Sequence, residues 1–156
     1  MLLGSIAQKL REVGVHTVGV VATDPERARL YFRYRPSRMP VGADPELTTH
    51  RAYGLPNFAL TPEAYGIAEA AAARELRRLN VQPSGDAFTT LRRLDGYEVT
   101  PSDEADFERH QAQLTGMFLI DRDGVVRYTY IEAAQGLDRF GEMPSEEEIL
   151  ASARAL

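Results

Sequence analysis

The 156-residue chain contains no cysteine. That absence removes disulfides, thiolate nucleophiles and cysteine-ligated metals from consideration, and it says little about compartment. Long apolar runs are missing too: no stretch approaches the roughly 20 apolar residues that span a bilayer. Met1-Leu2-Leu3 passes directly into Gly4, Ser5 and a helical pattern carrying Lys9 and Arg11, with no charged segment ahead of a sustained apolar run. No secretory signal is therefore expected, and the setting reads as soluble and cytoplasmic with no membrane partner. Positive charge is in short supply, with 18 Lys+Arg against 23 Asp+Glu and a formal net charge of -5. A broad footprint for nucleic acid is not expected, although a local basic patch is compatible with that total. Glycine spacing forms neither a P-loop nor a dinucleotide fingerprint, and no G-x-S-x-G elbow is present, so no cofactor is expected.

What is present is enough for one sizeable core: 44% of residues are apolar, and the expectation is a single domain over residues 1–156. Leu3, Ile6, Leu10 and Val13 recur at helical spacing before Gly14. Residues 15–22 are β-branched and apolar on both alternations apart from His16, the pattern of a strand covered on both faces. Thr23 and Asp24 offer helix caps ahead of Pro25, with Glu26 placed to complete a capping box, and a helix to about Tyr34 follows. Residues 39–43 read as a short strand and Asp44-Pro45 as a second helix start, ending at Gly54.

Thr61-Pro62-Glu63 opens an Ala-rich helix to about Leu79, where Asn80 can cap the end. A shorter helical piece is predicted from Asp86 to Leu94, a turn at Asp95-Gly96, and a helix from Thr100 to about Gln113. The strands Leu114–Ile120 and Val125–Glu132 flank the turn Asp121-Arg122-Asp123-Gly124. Ser145 with Glu148 forms a last capping box for a C-terminal helix with Ile149, Leu150 and Ala153 on its buried stripe. Alternation followed by a hairpin and a helix predicts an α/β fold with a mixed sheet flanked by helices.

Three blocks, in this order and spacing, carry a resemblance: Val18-Gly19-Val20-Val21-Ala22-Thr23-Asp24-Pro25-Glu26-Arg27-Ala28, then Ala43-Asp44-Pro45-Glu46 running on to Arg51-Ala52-Tyr53-Gly54-Leu55, and Leu114 to Gly124. They resemble the peroxiredoxin-like (alkyl-hydroperoxide-reductase/thiol-specific-antioxidant, redoxin) branch of the thioredoxin superfamily. The resemblance implies a thioredoxin-like mixed sheet, incomplete at its N-terminus, with a helical insertion at about 57–113. It also implies relatives that act as thiol-dependent antioxidant oxidoreductases. In that family the reactive cysteine follows the first central strand, at the N-terminus of a helix that lowers its pKa. Residues 3–13 correspond to the end of that helix, so strand and cysteine have no counterpart here. Either the chain is the remainder of a longer redoxin, or it is a natural cysteine-free relative put to another use. The family's residue before the hairpin strand, a cis-proline in thioredoxins proper, falls at Thr115, where a trans peptide is expected.

No catalytic residue can be carried over. Asp106 and His110, four apart on a predicted helix, could face one cation or one proton; the commoner reading is a solvated acidic face with a helix-end histidine, since no third ligand is specified by spacing. His110 precedes the strand that borders the family's active site, which makes it, with Thr115, the residue to test. His50 reads as a cap or a partly buried hydrogen-bonded histidine, and His16 has no visible partner. Arg27, Arg29, Arg33, Arg35 and Arg38, interleaved with Tyr31, Phe32 and Tyr34, place five cations and three aromatics in twelve residues. Such a run suits phosphates and stacked bases, and so a non-enzymatic surface for a small anionic ligand, a nucleotide or a partner protein, against the plainer reading of a solvated helix face whose aromatics pack inward. Asp121-Arg122-Asp123-Gly124 is not a calcium loop, because its glycine is at the fourth position and the later glutamate is missing.

The missing strand has a further implication. In the fold the chain resembles, it lies between the strand at 15–22 and the hairpin at 114–132, and its loss leaves backbone groups unpaired at roughly 1 to 3 kcal/mol each. Direct pairing of the two flanking strands, or strand exchange in a symmetric homodimer, would close the gap; the dimer is the expected solution.

Overall fold

The computed structural model describes residues 2–59, 61–94 and 96–156, with backbone alone for 2–5 and 58. Asp95 of the predicted turn, and the Leu3 side chain of the first apolar stripe, therefore lie outside the described residues. The elements run α1 (Leu2–Glu12), β1 (Gly19–Val21), α2 (Pro25–Tyr34), β2 (Val41–Ala43), α3 (Thr48–Ala52), β3 (Asn57–Phe58) and α4 (Pro62–Arg78). They continue with α5 (Ala87–Arg92), α6 (Pro101–His110), β4 (Ala112–Gln113), β5 (Gly116–Ile120), β6 (Val126–Ile131), a 3-10 turn (Leu137–Arg139) and α7 (Glu146–Arg154). The fold is mixed α/β, with three two-stranded sheets among the described residues: β1–β2 parallel, β3–β4 antiparallel and β5–β6 antiparallel. Among the described residues no helix is long and apolar enough to cross a membrane. The chain divides into two compact units, residues 1–55, 115–131 and 143–156 forming the first and residues 56–114 with 132–142 the second.

The first unit is built on the predicted helix and hairpin. Gly14, at φ +85, lets Gly14 N bond Arg11 O and Val15 N bond Leu10 O, a Schellman end that folds Val15 back against Leu10. Ile6, Leu10, Leu119, Ile149 and Ala153 are buried together, with Val13, Val15, Met117, Tyr128 and Leu150 packed against them. The hairpin pairs Gly116 with Ile131 through Leu119 with Tyr128, then slips by a bulge before Ile120 meets Val126. Its turn is held by the Asp121 carboxylate, which accepts from Asp123 N and Val125 N at 2.9 Å each and from Arg127 Nε at 2.6 Å. β5 starts on a glycine for a steric reason: a Cβ at Gly116 would lie 2.5 Å from Leu55 Cδ2 and 2.9 Å from Phe118 Cε2.

β1 is shorter than the expected 15–22 strand because only the three residues of β2 pair with it. Gly19 N donates to Pro40 O at 2.9 Å and Val21 O accepts from Asp44 N at 2.8 Å. In a parallel ladder that alternation turns the N–H and C=O of Val20 toward the opposite edge. Val18 and Val20 are 64% and 40% exposed. Among the described residues β1 and β5 lie in separate sheets.

The second unit holds α4, α5 and α6. Thr61 caps α4 by accepting from Ala64 N at 3.2 Å, and Ala64, Ala68, Ala72 and Leu76 form its buried i, i+4 ridge. Asn80, at φ +57, ends α4 with Val81 N bonded to Leu76 O at 2.9 Å, as its αL tolerance predicts. The α5 start is held twice: Asp86 accepts from Thr89 N, and the Glu69 carboxylate accepts from Ala87 N at 2.6 Å and Phe88 N at 2.8 Å. β3 and β4, which periodicity cannot reveal at two residues each, pair Asn57 with Gln113 and Phe58 with Ala112.

Candidate functional site

The arginine-rich segment forms α2 and the loop to β2. Asp24, rather than Thr23 of the expected capping box, caps α2: its carboxylate accepts from Glu26 N and Arg27 N, both at 2.9 Å. Only Ala28 is buried on this helix; Tyr31 and Phe32 are half-buried and Tyr34 is 51% exposed, so the aromatics do not all pack inward. The five arginines separate into two groups. Arg35 donates to the Tyr31 hydroxyl and lies 4.7 Å from the centre of that ring, which meets Phe32 edge-on at 5.3 Å, and Arg27 is also engaged. Arg29, Arg33 and Arg38 are exposed, and none has an ion-pair or hydrogen-bond partner among the described residues.

Two clefts flank the loop that follows α2. One, of about 500 Å³, is lined by Pro25, Ala28, Arg29 and Phe32 from α2 and by Pro36, Ser37, Met39, Val41 and Ala43. Its loop wall is pinned by Ser37, whose hydroxyl donates to Met39 O at 2.8 Å and accepts from Met39 N at 3.2 Å. No carboxylate lines it among the described residues, so the Arg29 guanidinium is its only charge. The other, of about 520 Å³, is lined by Gln8, Arg11, Glu12 and Arg38. Guanidinium forks facing an apolar wall bind planar oxyanions through paired N–H donors and through dispersion with the wall.

In the second unit, α6 starts after the expected Thr100, in a capping box: Thr100 Oγ1 accepts from Asp103 N at 3.4 Å and Asp103 accepts from Thr100 N at 2.7 Å. It ends at His110, short of Gln113, because Gln111 leaves the helix at φ 58, ψ -160. Asp106 and His110 do face each other, as four-residue spacing requires, but His110 Nε2 stands 4.0 Å from Asp106 Oδ1 and Arg109 already donates to that oxygen. His110 Nε2 is buried without a hydrogen-bond partner, as is Gln113 Oε1, while Gln113 Nε2 donates to His110 O at 2.6 Å. Among the described residues no three His, Asp or Glu side chains are grouped to hold a metal ion.

His50 is buried, its Nδ1 3.1 Å from Asp44 Oδ2, in agreement with a hydrogen-bonded core histidine. Asp44, which sequence reading treated only as a cap, is the hub: it accepts from Thr48 N at 2.9 Å, Thr49 N at 2.8 Å and His50 N at 3.3 Å. Burial pushes its carboxyl up, but the His50 ring and the three amides together hold it below the ordinary aspartate range. Thr115 is half-buried in the first unit, and among the described residues no peptide bond is cis. His16 is exposed. No protein-family model, no curated protein and no solved structure matches the chain.

Proposed function

We propose that this chain is a cysteine-free, thioredoxin-like relative of the peroxiredoxin-like redoxins that carries out no thiol chemistry and serves as a binding module for an anionic ligand on the α2 surface. The redoxin part of the reading rests on sequence: the three blocks quoted above and the order of helix, strand, helix, strand, hairpin and capped helix. The binding part rests on one observation: the Arg29 guanidinium, set beside Phe32 and Met39, has no partner among the described residues, and none of these contributes a carboxylate to its cleft. An acidic chain that leaves Arg29 and its helical neighbour Arg33 unneutralised has a local potential opposite to its net charge.

The reading predicts that inorganic polyanions bind with an affinity that falls steeply with salt, through counterion release. Loss of binding in an Arg29→Ala, Arg33→Ala double variant supports the module, and unchanged binding removes it. The thiol half is tested separately. Metal-free protein is expected to show no peroxidase or disulfide-reductase turnover, because attack on peroxide or disulfide needs a thiolate; robust peroxide consumption abolished by His110→Ala would overturn that half and make His110 an active-site residue.

A further inference from the structure

The geometry points to a second anion subsite in the Arg11–Arg38 cleft, so that the ligand of the α2 surface is a small linear polyanion of condensed-phosphate type with charges on both sides of the loop at residues 36–39. This deepens the anion-binding reading and rests on it. The loop is a partition: Pro36, Ser37 and Met39 line the Arg29 cleft, whereas Arg38, between them, lines the other. Across from Arg38 is the last turn of α1, which presents Gln8, Arg11 and Glu12. That turn has a fixed position, since Ile6 and Leu10 of α1 are buried in the core and Lys9 is ion-paired with Glu146 of α7.

The two guanidinium groups that share this cleft have no partner among the described residues, and Glu12, which shares it too, makes no ion pair with either. Two cations facing one concavity repel each other, and the Glu12 carboxylate that shares it is paired with neither, so an anion held between the guanidinium groups lowers that repulsion. The C-terminal dipole of α1 favours Arg11 at that position. A linear phosphate chain supplies one anionic group to the Arg11–Arg38 fork pair and another to Arg29, whereas a single orthophosphate can fill only one side.

The test compares inorganic tripolyphosphate with orthophosphate by calorimetric titration at equal, low ionic strength. We expect tripolyphosphate to bind at least about tenfold more tightly, as an intramolecular second contact requires. Arg11→Gln and Arg38→Gln should each weaken tripolyphosphate about fivefold or more, and Glu12→Gln, which removes the one carboxylate in the cleft, should strengthen it. All three side chains are exposed, so far-ultraviolet circular dichroism is expected to stay unchanged. Tripolyphosphate binding that survives the Arg11 and Arg38 variants but is lost in the Arg29, Arg33 double variant would overturn the second subsite and leave the binding module standing. Absence of binding by either phosphate species would overturn both. Co-sedimentation with anionic phospholipid vesicles, with no tripolyphosphate binding, would assign the arginines to a surface and also overturn the subsite.

Discussion

Replacing Asp44 with alanine tests the account of α3 directly. The carboxylate is 8% exposed as part of its residue and accepts four hydrogen bonds, from three consecutive amides and one imidazole nitrogen. The two shortest, from Thr48 N and Thr49 N at 2.9 and 2.8 Å, are charge-assisted contacts worth about 1 to 1.5 kcal/mol each, and the buried His50 ring left without its acceptor adds about 1 kcal/mol. The expected cost is therefore about 3 kcal/mol, or roughly 6 to 12 °C in Tm for a chain of this size. Having no tryptophan, the chain is best followed by circular dichroism in a urea titration, with amide hydrogen exchange at Thr48, Thr49 and His50 as the local readout. The pH dependence carries a sign. Because the folded carboxyl is held below its ordinary value, its stabilisation is present above the ordinary aspartate pKa and is lost as pH falls through the folded one. The gap between wild type and variant should be complete at neutral pH and shrink below about pH 4. A variant within about 1 kcal/mol of wild type at neutral pH, with unchanged exchange at the three amides, would refute the role given to Asp44.

Leu76→Ala, at the most deeply buried side chain of the second unit and against Ala72, Ala87, Val81, Phe88 and Leu91, should cost about 3 kcal/mol, read as accelerated exchange across α4 and α5; less than about 1 kcal/mol would mean that this cluster is not packed as described. Burial and the Glu148 carboxylate, 3.0 Å from its hydroxyl, push Tyr128 up to about 12, so an ultraviolet titration should show a late-ionising component that Tyr128→Phe removes. The corresponding stability is present below about pH 10 and disappears as pH rises through the folded value. Val18 and Val20 are exposed beside the β1 edge away from β2, so if the expected dimer forms by pairing there, light scattering at micromolar concentration should report a dimer that Val20→Lys returns to monomer; a monodisperse wild-type monomer would refute the dimer.

Features with a local cause were legible in the sequence. Thr61, Asp86, Thr100 and Ser145 each cap the helix they precede, and Asp121 to Gly124 makes the hairpin turn, because a side-chain oxygen and an amide two to four residues away suffice for either. What depended on distant partners was not. Asp44-Pro45 reads as an immediate helix start, yet α3 begins only at Thr48, because Leu47 takes the left-handed conformation at φ 55 and the carboxylate reaches past it. The arginine run is visible as composition, but whether a given guanidinium is tied down depends on where the Tyr31 ring sits, which is a matter of packing. The nearness of Arg11 to Arg38 has no sequence signature, since it arises from how α1 and the loop after α2 meet.

The close approach of Leu55 to Gly116 bears on the chain's modularity. Residues 56–114 leave the first unit and return to it at neighbouring points, and just inside them Asn57 and Phe58 pair with Gln113 and Ala112, so the ends of the excursion are joined before its helices begin. Joined at its base, the segment meets a closure cost that grows only by about 0.6 kcal/mol for each doubling of its length, and its further tie is to residues 132–142 of the same unit, where Arg74 donates to Phe140 O at 3.0 Å. The helices between these ends are thus free to lengthen, shorten or change sequence while Gly116 and Leu55 are held nearly unaltered, so change in this chain should concentrate between those two residues rather than at them.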